Sequence, residues 1–402
     1  MMKQVISVFL LVRNLASISI ILISCSESHL VKECDVVTED NDSTKSIRIS
    51  VADKSVAYTS QIISNPVVIK LQSNSENIVG RVGTVDISDS SIYILDENGV
   101  LFSFDASGRV KYKLNLNRIK DEKIADWKYD HSSKTHYLWN DMQKQMFAYS
   151  DHGTFKSKVN IPGVYSTSFV MLDTANILFY NDYNSGNKYK AALYNYSLRD
   201  NKIVQTSLSR PNVRDGSFFS LNSSPLSMPG KEAYFFDMYK YNIYEIPSTI
   251  NCPELIFHLS FGKNGYSSDL MDPSKDSRRM ELLRMGSFFR PSVFAATDRC
   301  FYLEGGFEKL IRKIFVDRRT KKILQFTTLE SDLKNIKGIF INDIRFAGNK
   351  IVLVVYPGTV YDRINSLREE NKKITKELYD FQSKNKIYDN PILIIGNYGV
   401  FN

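Results

Sequence analysis

From Val82 to Asn115 the chain reads VGTVDISDSSIYILDENGVLFSFDASGRVKYKLN, short runs of apolar and polar positions broken by turn residues. The pattern predicts strands near Val85 to Ser88, Ile92 to Asp96, Val100 to Asp105 and Val110 to Leu114, with turns at Glu97-Asn-Gly99 and Ala106-Ser-Gly108. Asn-Gly and Ser-Gly supply the positive-φ positions that tight hairpins need. Four such strands make one sheet that is apolar on both faces, and a sheet of that kind must be covered on each side by neighbours.

The unit recurs. A shift of about 45 residues, the span of a four-stranded propeller blade, carries Asp96 onto Asp141, Phe102 onto Phe147, Phe104 onto Tyr149 and Gly108 onto Gly153. Further copies of the central hairpin read Asn176 to Asp182 with Ala191 to Ser197, Ala233 to Asp237 with Tyr241 to Glu245, Arg299 to Glu304 with Leu310 to Phe315, and Ile339 to Arg345 with Lys350 to Tyr356. The expected fold is therefore all-β: a six-bladed β-propeller of four-stranded antiparallel blades with short helical insertions. Pairing of the early strand Pro66 to Leu71 with the late strand Asn390 to Gly396 would close the ring and remove its open edges.

Two insertions interrupt the repeat. Ser267 to Met285 carries a short helical pattern, and residues 362–383 carry a longer one. In the second, Ile364, Leu367, Ile374, Leu378 and Phe381 share a stripe and Glu369 and Lys373 form an i,i+4 pair. It reads as a helix packed over one end of the propeller, or as a lid or partner-binding element.

The amino terminus changes the picture from a bare propeller to an exported one. Lys3 and Arg13 precede an apolar run too short to span a bilayer comfortably, which ends at Leu22-Ile-Ser-Cys25. This predicts a lipoprotein signal peptide over 1–24, lipid on Cys25, a flexible tether over 25–46 and the propeller over 47–402. Loss of Lys3 and Arg13 lowers the formal charge from +8 to +6. That modest excess, with no basic cluster interleaved with aromatics, argues against a nucleic-acid partner. Cys34, Cys252 and Cys300 show no metal-ligand spacing; an oxidising compartment would allow a Cys252 to Cys300 disulfide, and two buried free thiols with Cys34 loose in the tether are the other reading.

Catalytic spacings are missing: no HExxH, no GxSxG and no phosphate-binding glycine pattern. His131 and His136 read as solvated loop residues. Asp96, Asp141, Asp182 and Asp237 recur at strand ends, so they read as turn caps that accept backbone N–H bonds rather than as ligands. The candidate ligand-binding residues are Trp127 and Trp139, whose rings could stack on a sugar or peptide at a propeller mouth or pack between blades. Arg290 is the third, offering a carboxylate contact in the funnel or a surface ion pair.

The repeat, the Leu22 to Cys25 motif and the closing Asp389-Asn-Pro-Ile-Leu-Ile-Ile395 after a charged helix together resemble the six-bladed β-propeller lipoproteins of Bacteroides-type bacteria. Members often carry a Gly-Pro-Gly-Glu-aromatic segment after the first blade, where this chain has LNRIKDEKIADW from Leu116 to Trp127. The resemblance implies fold and envelope location more than a shared ligand. The resulting expectation is a monomeric lipoprotein on the periplasmic or surface face of a membrane. Its propeller would be a non-enzymatic scaffold for a protein, peptide or glycan, without cofactor or metal. The alternative is a propeller hydrolase or lyase with an axial metal.

Overall fold

A computed structural model of the chain describes residues 31–34, 45–51, 55–116, 124–181, 189–209, 224–238, 240–247, 252–265, 289–334, 336–341 and 343–399. The signal peptide, Cys25, Asp182 and the helical pattern in 267–285 lie outside these residues.

Three short strands and a longer one come first: β1 (Lys32–Cys34), β2 (Ser46–Arg48), β3 (Val56–Tyr58) and β4 (Ile63–Lys70). Five antiparallel meanders follow, each a blade. They are β5 (Val82–Ile87), β6 (Ile92–Asp96), β7 (Val100–Phe104) and β8 (Val110–Asn115); β9 (Asp126–Asp130), β10 (Thr135–Asn140), β11 (Gln145–Ser150) and β12 (Phe155–Asn160); and β13 (Ser168–Met171), β14 (Asn176–Tyr180), β15 (Ala191–Ser197) and β16 (Lys202–Ser209). The fourth and fifth are β17 (Leu226–Ser227), β18 (Ala233–Asp237), β19 (Asn242–Ile246) and β20 (Glu254–Ser260), then β21 (Arg290–Ala296), β22 (Cys300–Phe307), β23 (Leu310–Asp317) and β24 (Ile323–Phe326). Next come β25 (Thr328–Glu330) and β26 (Phe340–Ile341), and a last blade of β27 (Asp343–Ala347), β28 (Lys350–Val355) and β29 (Ile392–Tyr398).

The β-propeller expectation holds, with one correction. The described residues form seven sheets, not the six blades counted from the repeat. The additional sheet is three-stranded, in the order β26-β25-β3, and stands between the fifth and last blades in chain order. Its strands are two or three residues long and one comes from far upstream, so no local alternation marks it.

Between successive sheets lie the apolar cores. Val82, Ile94 and Phe102 of the first blade pack with Val352, Val354 and Leu393 of the last, and Leu329 and Ile341 of the small sheet join the core shared by the fifth and last blades. Closure runs as expected: β4 pairs antiparallel with β29, Val67 opposite Ile395 and Lys70 opposite Ile392. Gly108 is needed at this seam, because at φ +85° a Cβ there would lie 2.3 Å from the Lys70 carbonyl oxygen.

The first three strands form a belt. Each adds in parallel to an outer strand: β1 to β16, β2 to β20 and β3 to β25. Residues 32–34, inside the expected tether, are thus part of a sheet. Their anchor is a disulfide from Cys34 to Cys252, with 5.4 Å between the Cα atoms. The Cys252 to Cys300 pairing is corrected accordingly; Cys300 is a buried free thiol whose pKa burial pushes up to about 12.

The insertion at 362–383 is two helices rather than one, Pro357–Glu369 and Lys376–Lys384. Asn371 turns to φ 52°, which ends the first, and the Thr375 side chain accepts from the Leu378 N–H to start the second. Glu369 and Lys373 therefore share no continuous helix, and Glu370 pairs with Lys372 at 2.7 Å instead. Ile364, Leu367, Leu378 and Phe381 are buried in the core of the last blade, which is the packing reading of the stripe.

Candidate functional site

The first strands of successive blades approach one another from β5 to β9, β13, β17 and β21, and β27 returns to β5. These strands ring the propeller axis, and the residues that open them gather at one end of it. We call that end the mouth.

Two polar networks occupy the mouth. In the first, Asp343 opens β27 and is nearly buried. Its Oδ2 accepts from the Tyr356 hydroxyl at 2.9 Å and lies 3.6 Å from Arg345 Nη2, while its Oδ1 lies 3.5 Å from Arg81 Nη2. The Tyr356 oxygen in turn accepts from the Val82 N–H at 2.9 Å, and Arg345 donates through Nε (3.2 Å) and Nη2 (2.9 Å) to the Val82 carbonyl. One carboxylate thus ties the last blade to the first. The hydrogen bond to Asp343 and its charge raise the Arg81 pKa above its already high value, and burial with the adjacent Asp343 charge raises that of Tyr356. The Arg81 side chain is 60 % exposed, so N–H donors remain turned to solvent.

In the second network Asp126 opens β9. Its Oδ2 accepts from Ser168 Oγ at 3.0 Å and from the Phe169 N–H at 3.1 Å, and its Oδ1 accepts from Lys128 Nζ at 3.0 Å. Ser168 Oγ also lies 2.6 Å from Ser224 Oγ, so three blades are joined. The mouth therefore presents fixed carboxylates with their cations outermost. Such an arrangement can orient a ligand that carries both acceptors and donors, and guanidinium donors suit carboxylate groups in particular. Among the described residues no group of three His, Cys, Asp or Glu could hold a metal ion.

Sequence reasoning missed these residues, because the repeat was aligned on the central hairpins and not on the first strands. Aligning the starts of the first strands would have set Val82, Asp126, Ser168, Arg290 and Asp343 side by side.

The structure does not bring the three expected ligand residues together. Trp127 and Trp139 are fully buried, Trp127 between the first two blades and Trp139 in the core of the second and third, and neither ring faces a ligand. Trp127 Nε1 donates to His136 Nδ1 at 3.3 Å, and Trp139 Nε1 to the Ser166 carbonyl at 2.8 Å. Arg290 is exposed and opens β21, one of the mouth-lining strands.

His136 is also corrected: it lies within β10, wholly buried, with Tyr112 Oη 2.9 Å from Nε2. Burial lowers its pKa to about 4, so the ring is neutral in the fold. His131 is the exposed one. It pairs with Asp86 at 3.0 Å, at the opposite end of the first strands, and that hydrogen bond raises its pKa.

The recurrent aspartates divide. Asp96 is a turn cap, its Oδ1 accepting from the N–H groups of Asn98 (3.0 Å) and Val100 (2.9 Å). Asp141 instead accepts from the Ser166 N–H at 2.8 Å, across to the next blade, and Asn140 caps the hairpin through the Gln143 N–H at 2.9 Å. Away from the mouth, an open groove of about 290 Å³ lies at the closing seam beside Lys70, Ser107 and Asp389, where Lys70 and Asp389 are 3.4 Å apart.

Fold and mouth define the class, a β-propeller with four-stranded antiparallel blades and few helices. Within that class the chain belongs to the family described as a domain of unknown function, DUF4934, whose model matches residues 44–397. Among solved structures it is similar to a Bacteroides fragilis protein provisionally named as exported, with TM-score 0.67, 13 % identity, and coverage of 89 % of this chain and 99 % of that one. Weaker likenesses are to a member of the duf4221 family from Bacteroides vulgatus (TM-score 0.46, 9 % identity, 84 % and 97 % covered) and to BamB from Moraxella catarrhalis (TM-score 0.40, 8 % identity, 73 % and 86 % covered). No curated protein matches the sequence.

Proposed function

We propose that the protein is an exported lipoprotein, anchored through Cys25 to a membrane of the bacterial envelope, whose propeller is a non-enzymatic scaffold. It binds a protein, peptide or glycan at the mouth. The observation that carries this reading is the Asp343 network. It brings Arg81, just ahead of the first blade, onto Asp343, Arg345 and Tyr356 of the last blade, and holds one guanidinium to solvent on a buried carboxylate. Such preorganisation suits recognition, since little side-chain freedom is left to lose on binding.

Export is supported by the apolar run ending at Leu22 to Cys25, by the Cys34 to Cys252 disulfide, which persists in oxidising compartments, and by the exported character given to the Bacteroides fragilis neighbour. Cys25 stands seven residues before β1. At roughly 3.3–3.6 Å per extended residue, that spacing keeps a lipidated Cys25 within about 25 Å of the third blade.

Membrane fractionation with metabolic palmitate labelling tests the anchor. Wild-type protein should label and sediment with membranes, and Cys25→Ala should do neither; labelling that persists in the variant would refute the proposal. A thermal-shift screen of peptides and oligosaccharides tests the mouth. A hit should be lost in Arg81→Ala, and one retained undiminished there would place binding elsewhere.

A further inference from the structure

The groove at the closing seam is built from three separate stretches of chain. It holds about 290 Å³ and is lined by residues 70–73 at the end of β4, by 107–109 in the turn between β7 and β8, and by Asp389 ahead of β29. That volume is near the lower end of the range for small-ligand sites, roughly 300–1,000 Å³. Its walls are fixed. The Gln72 N–H donates to the Gly108 carbonyl at 2.8 Å, and the buried Asn390 side chain donates to the Gln72 carbonyl at 2.7 Å.

The polar groups of the groove are only partly spent, and the unspent ones are mostly donors. Arg109 Nε donates to Asp105 Oδ2 at 2.9 Å, while Nη1 and Nη2 have no partner among the described residues. The Val110 N–H donates to Gln72 Oε1 at 3.0 Å, which leaves the Gln72 amide nitrogen free among the same residues. Ser73 Oγ accepts from the Asn390 N–H at 2.6 Å and keeps its own proton to give. Lys70 Nζ uses two of its three hydrogens, on the Lys384 carbonyl (3.1 Å) and on Asp389 Oδ2 (3.4 Å). One acceptor left over is Asp389 Oδ1, since Oδ2 also takes the Lys386 N–H at 3.0 Å. Asp105 is already occupied, its Oδ1 accepting from Ser107 and Arg109 within its own turn.

A ligand that fits carries an acceptor-rich group for the guanidinium and the ammonium, with hydroxyls that both accept from Gln72 and Ser73 and donate to Asp389. We propose that the groove binds a sugar bearing one anionic group, a carboxylate or a phosphate. Nη1 and Nη2 share the end edge of the Arg109 guanidinium, and two parallel N–H donors there match two oxygens of such a group. Lys70 adds a point charge. Both cations are paired near the surface, with side chains 48 % (Lys70) and 77 % (Arg109) exposed, where such pairs are worth little and a ligand can compete for the charge. The site is separate from the Asp343 network and does not depend on it.

Calorimetric titration of the purified full chain at constant ionic strength compares glucuronate, glucose 6-phosphate, glucose, acetate and inorganic phosphate. At least one of the two anionic sugars should bind saturably with a Kd on the order of 1 mM, the scale for a ligand of that size. Glucose and the two small anions should each bind about tenfold more weakly, because each lacks either the anionic group or the hydroxyls. The better of the two anionic sugars tells a carboxylate site from a phosphate site. Arg109→Gln should weaken its binding roughly tenfold, to the level of glucose, and Lys70→Gln should weaken it several-fold. Acetate or phosphate binding as tightly as the sugars would mean an adventitious ion only and would overturn the proposal. So would no saturable binding of either anionic sugar, glucose binding as tightly as they do, or an affinity undiminished in Arg109→Gln or Lys70→Gln. Melting curves of the ligand-free variants check that they fold; if Arg109→Gln does not, the Lys70→Gln affinity decides alone.

Discussion

The outer edges of the propeller are treated in two ways. In the third and fourth blades β16 and β20 are covered by β1 and β2, and β25 of the small sheet is covered by β3. Among the described residues β8 and β12 of the first two blades, and β24 of the fifth, end their sheets without a further strand. Of these, β8 and β12 read VKYKLN and FKSKVN, with lysines at 111, 113, 156 and 158, whereas the covered β16 reads KIVQTSLS and its Gln205, Thr206 and Ser207 are buried beside the belt. Edge strands template unwanted pairing, and there are two remedies, to cover the edge or to charge it. This chain uses both.

The difference places the amino-terminal segment in the fold. A belt that satisfies β16 and β20 and is clamped by Cys34 to Cys252 ties any upstream anchor to the third blade. The mouth stays clear, since its groups come from the first strands while the belt runs along the outermost ones.

The clamp offers the largest way to break the comparison. Cys252→Ser, or reduction of the wild type, frees a crosslink across a sequence separation of 218 residues and should cost about 2–4 kcal/mol in denaturant unfolding. Equal midpoints for oxidised and reduced protein would mean that the belt contributes nothing.

Acid should act next, and on the open side. His136 has a folded pKa of about 4 against roughly 6.5 when unfolded, so between those values the unfolded state binds the extra proton. Stability is therefore lost as pH falls from about 6.5 toward 4, by on the order of 3 kcal/mol. His131 runs the other way: Asp86 raises its folded pKa, so its contribution is present below the unfolded pKa and is lost as pH rises through the folded one. His136→Gln should flatten the acid limb of the unfolding profile, and an unchanged limb would contradict a buried neutral ring.

Smaller effects sharpen the picture. Asp96→Ala removes a carboxylate that accepts two backbone bonds in its own turn, and chemical denaturation should show a loss of about 1–2 kcal/mol. Lys156→Ile with Lys158→Ile should leave monomer stability within about 0.5 kcal/mol. The same pair should raise self-association in sedimentation velocity, as Phe155 is already 53 % exposed on that strand. A protein that remained monomeric would show that the lysines are not what guards β12.

Much of the ring was legible in the chain because its blades are local: period-two alternation and Asn-Gly or Ser-Gly turns mark hairpins within a few residues of themselves. The closing pair β4 and β29 was visible for the same reason, both being long apolar strands. The belt was not, since Lys32-Glu-Cys34 is polar, pairs in parallel and finds its partner far downstream. The small sheet escaped notice in the same way. His136 was misread because its partners Tyr112 and Trp127 come from other strands, although Thr135 to Asn140 carries a strand pattern that could have placed it inside. At the candidate site one polar residue per blade counts, and only the ring makes Asp343, Arg81 and Asp126 neighbours of an axis.

Amide hydrogen exchange followed by mass spectrometry, on oxidised and reduced protein, compares the two kinds of edge most directly. The account predicts that residues 205–207 of β16 and 258–260 of β20 are protected in the oxidised protein and exchange faster on reduction, while β8 and β12 exchange alike in both. Protection of β16 and β20 that is no greater than that of β8 and β12, or is indifferent to reduction, would contradict it.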